Sequence, residues 1–480
     1  MKINFSQSFS LIIAGLLIWL FSGSCQKDEL LDDPVNLQFS SDTILFDTLF
    51  TTIGSSTQSF RVYNPKDEDV EIDQIMLAGG QSSPFRINVN GLSGTSFSNI
   101  KLRGNDSLYT YVEVTVDPND NEQPMIITDS IVFNTNGKVQ DIKLVAWGQD
   151  ANFIVADTDV SGLPAYKIVA HQNENIVWDS NKPYVIYGYA VVDSTASLTI
   201  TEGTDVHFHA NSGLWVYKGG NLKVEGTPSD PVHFRGDRPE PYYEDIPGQW
   251  DRIWLNEGSV DNEIRHAIIE NGFIGIQAET LEGQMGNQLI TENVIIRNMT
   301  GMGFLGRNYK VSTENTEVSN CGNYAVALTN GGDYSFTHLT VGNYWSDGIR
   351  QTPSLYLNNF FEQADGSLSS NDLSVTIANS IIYGNQQNEF LTEDIDDGSL
   401  LEFTIDHCLV KTTQATTGNS WVNSLINQNP QFEDAGNDDY TLSQGSPAID
   451  AGTPAYQVPF DLKGDPRDAQ PDMGAYEYVP

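Results

Sequence analysis

From about residue 160 onward, apolar residues fall in short alternating groups. Leu198/Ile200, Val206/Phe208, Leu214/Val216, Leu222/Val224, Val232/Phe234 and Ile253/Leu255 are the clearest. Gly203, Gly213, Gly219-Gly220, Gly226 and Pro231 punctuate them. Period two within each group predicts very short strands, and the punctuation predicts turns between them. A longer phrase also repeats: Ile268-Ile269-Glu270-Asn271, Ile295-Ile296-Arg297-Asn298, Glu317-Val318-Ser319-Asn320 and Thr340-Val341-Gly342-Asn343. Its asparagines are 27, 22 and 23 residues apart. Ile381-Ile382-Tyr383-Gly384-Asn385 is a weaker echo, after a gap that fits an insertion near 350–372, and Cys408-Leu409-Val410 is the last candidate. A period of roughly 20 to 27 residues with several strands per period is what stacked coils require. The pattern predicts a right-handed parallel β-helix over 151–428. Leucine-rich repeats need a Leu/Asn framework that is absent, and propeller blades need a longer period. Asn271, Asn298, Asn320 and Asn343 would then occupy equivalent corners as a structural ladder, because Asn tolerates left-handed backbone.

Between 39 and 150 the pattern is plain alternation. Phe85, Ile87 and Val89 alternate with Arg86, Asn88 and Asn90, and Asn136-Gly137 between apolar runs is a hairpin signal. Six or seven short strands are expected, forming an immunoglobulin-like β-sandwich. Residues 25–38 are polar and acidic and read as a tether. Before them, Lys2, the apolar run Leu11–Phe21 and the small residues Ser22-Gly23-Ser24 read as a signal peptide over 1–24. That run is too short to span a bilayer.

Charge narrows the function classes. Asp and Glu number 64 against 24 Lys and Arg, a net charge of −40 in 480 residues. Such a surface repels phosphate backbones, so no nucleic-acid partner is expected. Of the three cysteines, Cys25 follows the signal peptide, while Cys321 and Cys408 end strand-like stretches and read as small core residues, with a disulfide between them left open. No zinc-ligand spacing, nucleophile-elbow, P-loop or metalloprotease motif occurs. No cofactor or metal site is expected; calcium stays open, but no loop motif supports it.

Several stretches resemble known families. Ser22-Gly23-Ser24-Cys25 resembles a lipobox, which implies lipidation of Cys25. Gln26-Lys27-Asp28-Glu29 is similar to the Bacteroidetes lipoprotein export signal, which implies an outer-membrane lipoprotein facing the cell exterior. Val62-Tyr63-Asn64, Ser83-Pro84-Phe85 and Leu144–Gly148 resemble the ASPM-SPD-2-Hydin type of sandwich, implying a spacer or interaction module. The stretch from Leu198 to Phe234 resembles the first coils of the pectate-lyase-like superfamily. Residues 429–480, with Ser446-Pro447-Ala448-Ile449-Asp450 and Asp472-Met473-Gly474-Ala475-Tyr476, resemble a choice-of-anchor Q segment. In that segment Asp450, Arg467 and Asp472 are expected to pair and fasten the last coil.

The pectate-lyase-like resemblance raises lyase or hydrolase activity on acidic polysaccharide, yet no catalytic residue is identified. Arg252, Arg265, Arg297, Arg307, Lys310 and Arg350, with His266, His338, Tyr344 and Asp347, are candidates for one lateral face. Asn343-Tyr344-Trp345-Ser346-Asp347 sets two rings beside polar groups, as sugar stacking requires. Tyr344, Trp345, Asp347, Arg350 and His338 are therefore the candidate ligand-binding residues. Tyr242, Tyr243 and Trp250 flank a proline-rich insertion that would serve as a lid or wall. Binding of glycan or another surface macromolecule without catalysis is the first reading, a lyase or glycoside hydrolase acting on acidic polysaccharide the second, and a structural envelope role the third.

Overall fold

The structure, a computed structural model, describes residues 30–50, 54–116, 125–281, 288–363, 365–395 and 398–480. The signal peptide, Cys25 and the acidic pair Asp396-Asp397 lie outside the described residues. The chain divides after Asp150 into two compact units.

The first unit is a β-sandwich of ten strands: β1 (Gln38–Phe39), β2 (Thr43–Phe50), β3 (Gln58–Tyr63), β4 (Val70–Leu77), β5 (Phe85–Val89), β6 (Leu92–Gly94), β7 (Ser96–Leu102), β8 (Ser107–Val114), β9 (Met125–Thr135) and β10 (Lys138–Gln149). They form two five-stranded sheets, ordered β1-β3-β8-β5-β6 and β2-β10-β9-β4-β7. Alternation decides which side chains enter the core. Phe85, Ile87 and Val89 are buried, and so are Leu108, Val112 and Val114. Asn136 and Gly137 both take positive φ, 50° and 79°, as a two-residue turn between β9 and β10 demands. The described part of the expected tether is not free. Val35 and Leu37 are 1% and 3% exposed within the sandwich core, and Leu37 N–H donates to Gln140 at 2.8 Å. The acidic neighbours masked a short alternating segment there.

The second unit is a parallel β-helix with three stacks of strands. Stack A runs from Asn152–Val155 through Tyr184–Tyr187, Asp205–Phe208, Val232–Gly236, 267–270, 294–297, 316–319 and 339–343 to Ile381–Gly384, Leu409–Val410 and Leu425–Ile426. Stack B runs from Tyr166–Ala170 through Tyr189–Val192, Gly213–Val216, Trp250–Asn256, Gly272–Glu279, 302–307 and 326–329 to Leu355–Asn358 and Phe390–Glu393. Stack C begins at Asn175–Trp178 and ends at Trp421–Val422. Each coil but the last passes through one strand of each stack, and the pairing along every stack is parallel. Inward side chains meet their equivalents one coil on: Leu198 lies on Leu222, and Val224 on Ile264. Phe208 stacks on Phe234 at 6.4 Å and on Trp250 at 4.4 Å. Trp250 is thus a core residue, not part of a lid.

Two corners carry polar ladders. Between stacks A and B, Asn271, Asn298 and Asn320 are left-handed, at φ 64°, 59° and 47°. Asn298 donates to Asn271 Oδ1 at 2.5 Å. Asn320 turns instead to Asp438, and Asn343 stays in its strand, accepting from Cys321 N–H at 3.0 Å. The more continuous ladder lies between stacks C and A. His266, Asn293, Asn315, His338, Asn379, His407 and Asn423 occupy successive coils in register. All seven are left-handed. Asn315 donates to Asn293 at 3.0 Å, and Asn379 and Asn423 reach His338 and His407 at 3.3 and 3.4 Å. The side-chain bonds offset the cost of positive φ at non-glycine residues.

Residues 429–480 lie along the flank of stack A. Tyr440, Ala475 and Tyr476 are buried there, Ala475 N–H donates to Thr340 at 2.8 Å, and Tyr476 hydroxyl donates to Glu317. Arg467 pairs with Glu477 at 3.0 Å and donates to Asn315 at 3.1 Å. Asp472 accepts from the backbone N–H of Asp450 and Tyr478. The expected pairing of Arg467 with Asp450 or Asp472 therefore does not occur: Glu477 holds the guanidinium, and the anchor falls on the coil of Asn315. Arg467→Ala should cost about 3–5 kcal/mol by stranding Glu477 in a buried site. It should also open 429–480 to limited proteolysis before the coils unfold; an unchanged cleavage pattern and melting temperature would contradict this role.

Cys321 and Cys408 are free and buried, with burial pushing both thiols up to about 12. They are core residues with little thiolate character.

Candidate functional site

Stack B carries the most developed outward surface. Leu214, Val216, Ile253 and Leu255 enter the core, so the alternate residues Trp215 and Trp254 point away from it. Trp215 is still buried, in a second apolar cluster with Tyr189 and Val191 against which the partly exposed Trp254 packs. Register then builds one outward column: Ile168, Val191, Trp215, Trp254, Gln277, Leu305, Ala327, Tyr356 and Leu391. Two residues along each strand, a second column holds Asn256, Glu279, Arg307, Thr329, Asn358 and Glu393. Aromatic rings cluster at both ends of the first column. Trp215 stacks on Trp254 at 5.0 Å, with Tyr166 and Tyr217 edge-on to Trp215 at 6.1 and 5.8 Å. Tyr324 stacks on Tyr356 at 5.1 Å.

Charges on this face are matched internally. Glu279 accepts from Trp254 Nε1 at 2.7 Å and from Asn256 at 3.4 Å, and pairs with Arg307 at 3.4 Å. Arg307 also lies 5.2 Å over the ring of Phe361, in the hairpin of Phe360–Glu362 and Leu368–Ser370. Asp251 accepts from Tyr189 hydroxyl and pairs with Arg252 at 2.8 Å. Burial, then the adjacent Asp251, pushes the Tyr189 phenol up, so it stays a donor. Glu393 accepts from Tyr356 at 2.6 Å. Three polar atoms of the two columns are buried without a partner: Trp215 Nε1, Arg307 Nε and Thr329 Oγ1.

The proline-rich insertion stands at the A/B corner beside this face. Asn271 and Asn298 donate to the carbonyls of Glu244 and Asp245 at 2.7 and 2.9 Å, and Gln249 to that of Tyr243 at 2.7 Å. The loop is held by its own coils, and it leaves Tyr242 exposed. Below it, His209 Nδ1 lies 2.8 Å from the buried carboxylate of Asp237. Tyr187 stacks on the imidazole at 4.5 Å. Burial, then Asp237, pushes the Tyr187 phenol up to about 12.

The residues singled out from sequence do not form an open site. Arg350 is buried in a pair with Glu389 at 2.8 Å, both side chains 0% exposed. His338 is a rung of the C/A ladder, with Nδ1 3.1 Å from Gly474 carbonyl. Tyr344 stacks against Tyr440 at 6.2 Å under residues 429–480. Trp345 is buried, and Asp347 alone of the five is exposed. The cations are spread over three stacks, each paired: Arg265 with Glu292 on C, Arg297 with Glu270 on A, Lys310 with Asp333 on C. Among the described residues, no group of three or more His, Cys, Asp or Glu is placed to hold a metal ion.

His338 sets an acid limit on stability. Burial, and next the Arg467 charge, lowers it to about 3, whereas an unfolded histidine titrates near 6.5. Between those values the unfolded chain binds the extra proton, so stability falls as pH drops. At pH 5 this group should have cost about 2 kcal/mol relative to pH 7. Asp472, raised to about 6 mainly by burial, works in the opposite sense but is common to wild type and variant. His338→Asn, the residue its ladder neighbours use, should therefore lose less stability between pH 7 and 5, read from urea midpoints. Equal losses in the two proteins would refute the assignment.

The family described as pectate-lyase like beta helix domain matches residues 170–255. No curated protein matches. Among solved structures, the catalytic unit of a GH87 alpha-1,3-glucanase from Streptomyces thermodiastaticus overlaps 77% of this chain and 88% of its own, at 11% identity and TM-score 0.26. A family 123 glycoside hydrolase from Clostridium perfringens overlaps 24% of this chain and 27% of its own, at 9% identity and TM-score 0.18. The ASH/PapD-like domain of human CEP192 overlaps 25% and 95%, at 12% identity and TM-score 0.17. Scores this low carry no weight for fold or function. The family match stands on the second unit and includes both Trp215 and Trp254.

Proposed function

We propose that this chain is a cell-surface lipoprotein that binds glycan along the outer face of stack B without cleaving it. One observation carries the reading: on the outer side of stack B the rings of Trp215 and Trp254 on adjacent coils, and of Tyr324 and Tyr356 further along, stand beside a polar column. Rings offer apolar faces to sugar C–H groups, and adjacent amides, carboxylates and guanidinium groups orient the hydroxyls. Coils about 4.8 Å apart repeat such contacts along a polymer. The anchor in this reading is Cys25, lipidated and held in the outer membrane facing the exterior, with the sandwich as spacer and 429–480 as fastening. The net charge of −40 supports a partner other than nucleic acid.

The full-length chain, incubated with plant, algal and host polysaccharides with and without calcium, should leave their size distribution unchanged while retaining at least one of them. Shortened polymer would overturn the reading in favour of a carbohydrate-active enzyme. One feature favours that second reading: the half-exposed His209, oriented by a buried carboxylate as a general base requires.

A further inference from the structure

We infer that the glycan received by stack B is uncharged, an inference that rests on the binding reading above. The one cation in the two columns, Arg307, and Arg252 beside them already have their charges met by carboxylates. Arg252 is engaged by Asp251 and Gln277, and Arg307 by Glu279. An acidic sugar would have to displace one of these carboxylates, leaving it unpaired at a partly buried site. It would also approach a chain of net charge −40.

A cationic sugar fares no better at the surface itself. Asp251 is taken by Tyr189 and Arg252, Glu279 by Trp254 and Arg307, and Glu393 by Tyr356. What the face lacks is a neutral partner. Trp215 Nε1 and Arg307 Nε are buried donors with nothing to receive their hydrogens, and Thr329 Oγ1 is a buried hydroxyl without a bond, while the charge of Arg307 is met by Glu279. A buried polar group without a partner is costly, so each marks a bond left for a ligand. Sugar hydroxyls donate and accept, matching all three without moving a charge. The partly exposed ring of Trp254, backed by Trp215, supplies the stacking surface beside them.

Affinity electrophoresis of the full-length chain separates the outcomes. Gels would contain neutral polymers (glucans, xylan, galactomannan), acidic ones (polygalacturonate, alginate, chondroitin sulfate) or chitosan, at low salt and at about 0.5 M sodium chloride. Retardation should be at least tenfold stronger on one neutral polymer than on any charged one, and it should survive high salt. Trp215→Phe, which keeps a ring and removes the unpartnered N–H, should weaken that retardation roughly fivefold. Stronger retardation on a charged polymer, or retardation lost at high salt, would overturn the uncharged ligand and leave glycan binding intact. No retardation on any polymer would overturn the binding reading as well. Unchanged retardation by Trp215→Phe would remove the role given to its N–H.

Discussion

Replacing Arg350 by alanine is expected to destabilise the β-helix by about 3–5 kcal/mol. Its guanidinium forks onto Glu389 through two contacts of 2.8 Å and also donates to the carbonyls of Asn343 and Thr352 and to Asn385. Glu389 meanwhile accepts from Ser354 and from Gln386 N–H. The pair therefore ties the turn after Asn343 to two later corners, with both side chains fully buried. Removing one partner strands a charge there; removing both need not. Arg350→Met with Glu389→Met should recover most of the loss, whereas Arg350→Lys, which lacks the planar fork, should recover little. Urea midpoints of the four proteins measure this directly. Equal destabilisation by the single and double variants would show that packing, not charge, dominates.

Trp254→Ala is expected to weaken glycan binding about thirtyfold, the effect of losing roughly 2 kcal/mol at a central aromatic contact. The ring stacks on Trp215 and its Nε1 holds Glu279, so the substitution removes a platform and loosens a carboxylate. Trp254→Phe separates the two: retained affinity would assign the effect to the ring. Because Trp254 packs on an apolar cluster and its Nε1 serves the buried Glu279, the alanine variant should also lose stability, and binding is to be read below its melting transition. Tyr217→Ala, at a residue 40% exposed, gives a second reading free of folding effects. Full affinity in both alanine variants would place binding elsewhere.

The β-helix was legible because its evidence is periodic. A phrase returning every coil marks the corner between stacks A and B, and the structure sets Asn271, Asn298 and Asn320 there with positive φ. The longer ladder was not legible, because His266, His338 and His407 interrupt its asparagines and no single residue type recurs. The surface of stack B was hidden for a related reason. Trp215 and Trp254 are neighbours one coil apart, but the insertion at 237–249 stretches that coil and breaks the period. At Tyr344-Trp345 the aromatic signal was real and its setting was not readable. Tyr344 is covered by Tyr440 and Phe432, almost a hundred residues later, and Trp345 beside it is buried. Arg350 and His338 mislead in the same way: their partners Glu389 and Gly474 are brought in by the fold, not by proximity in sequence.

The most direct test of the account is hydroxyl-radical footprinting of the full-length chain with and without the polysaccharide it retains most tightly. Protection should appear at Tyr217, Trp254, Tyr324 and Tyr356, while the exposed, stacked Tyr109 and Tyr111 of the sandwich stay reactive. Protection confined to Tyr109 and Tyr111, or to Tyr187 and His209, with stack B unchanged, would contradict it.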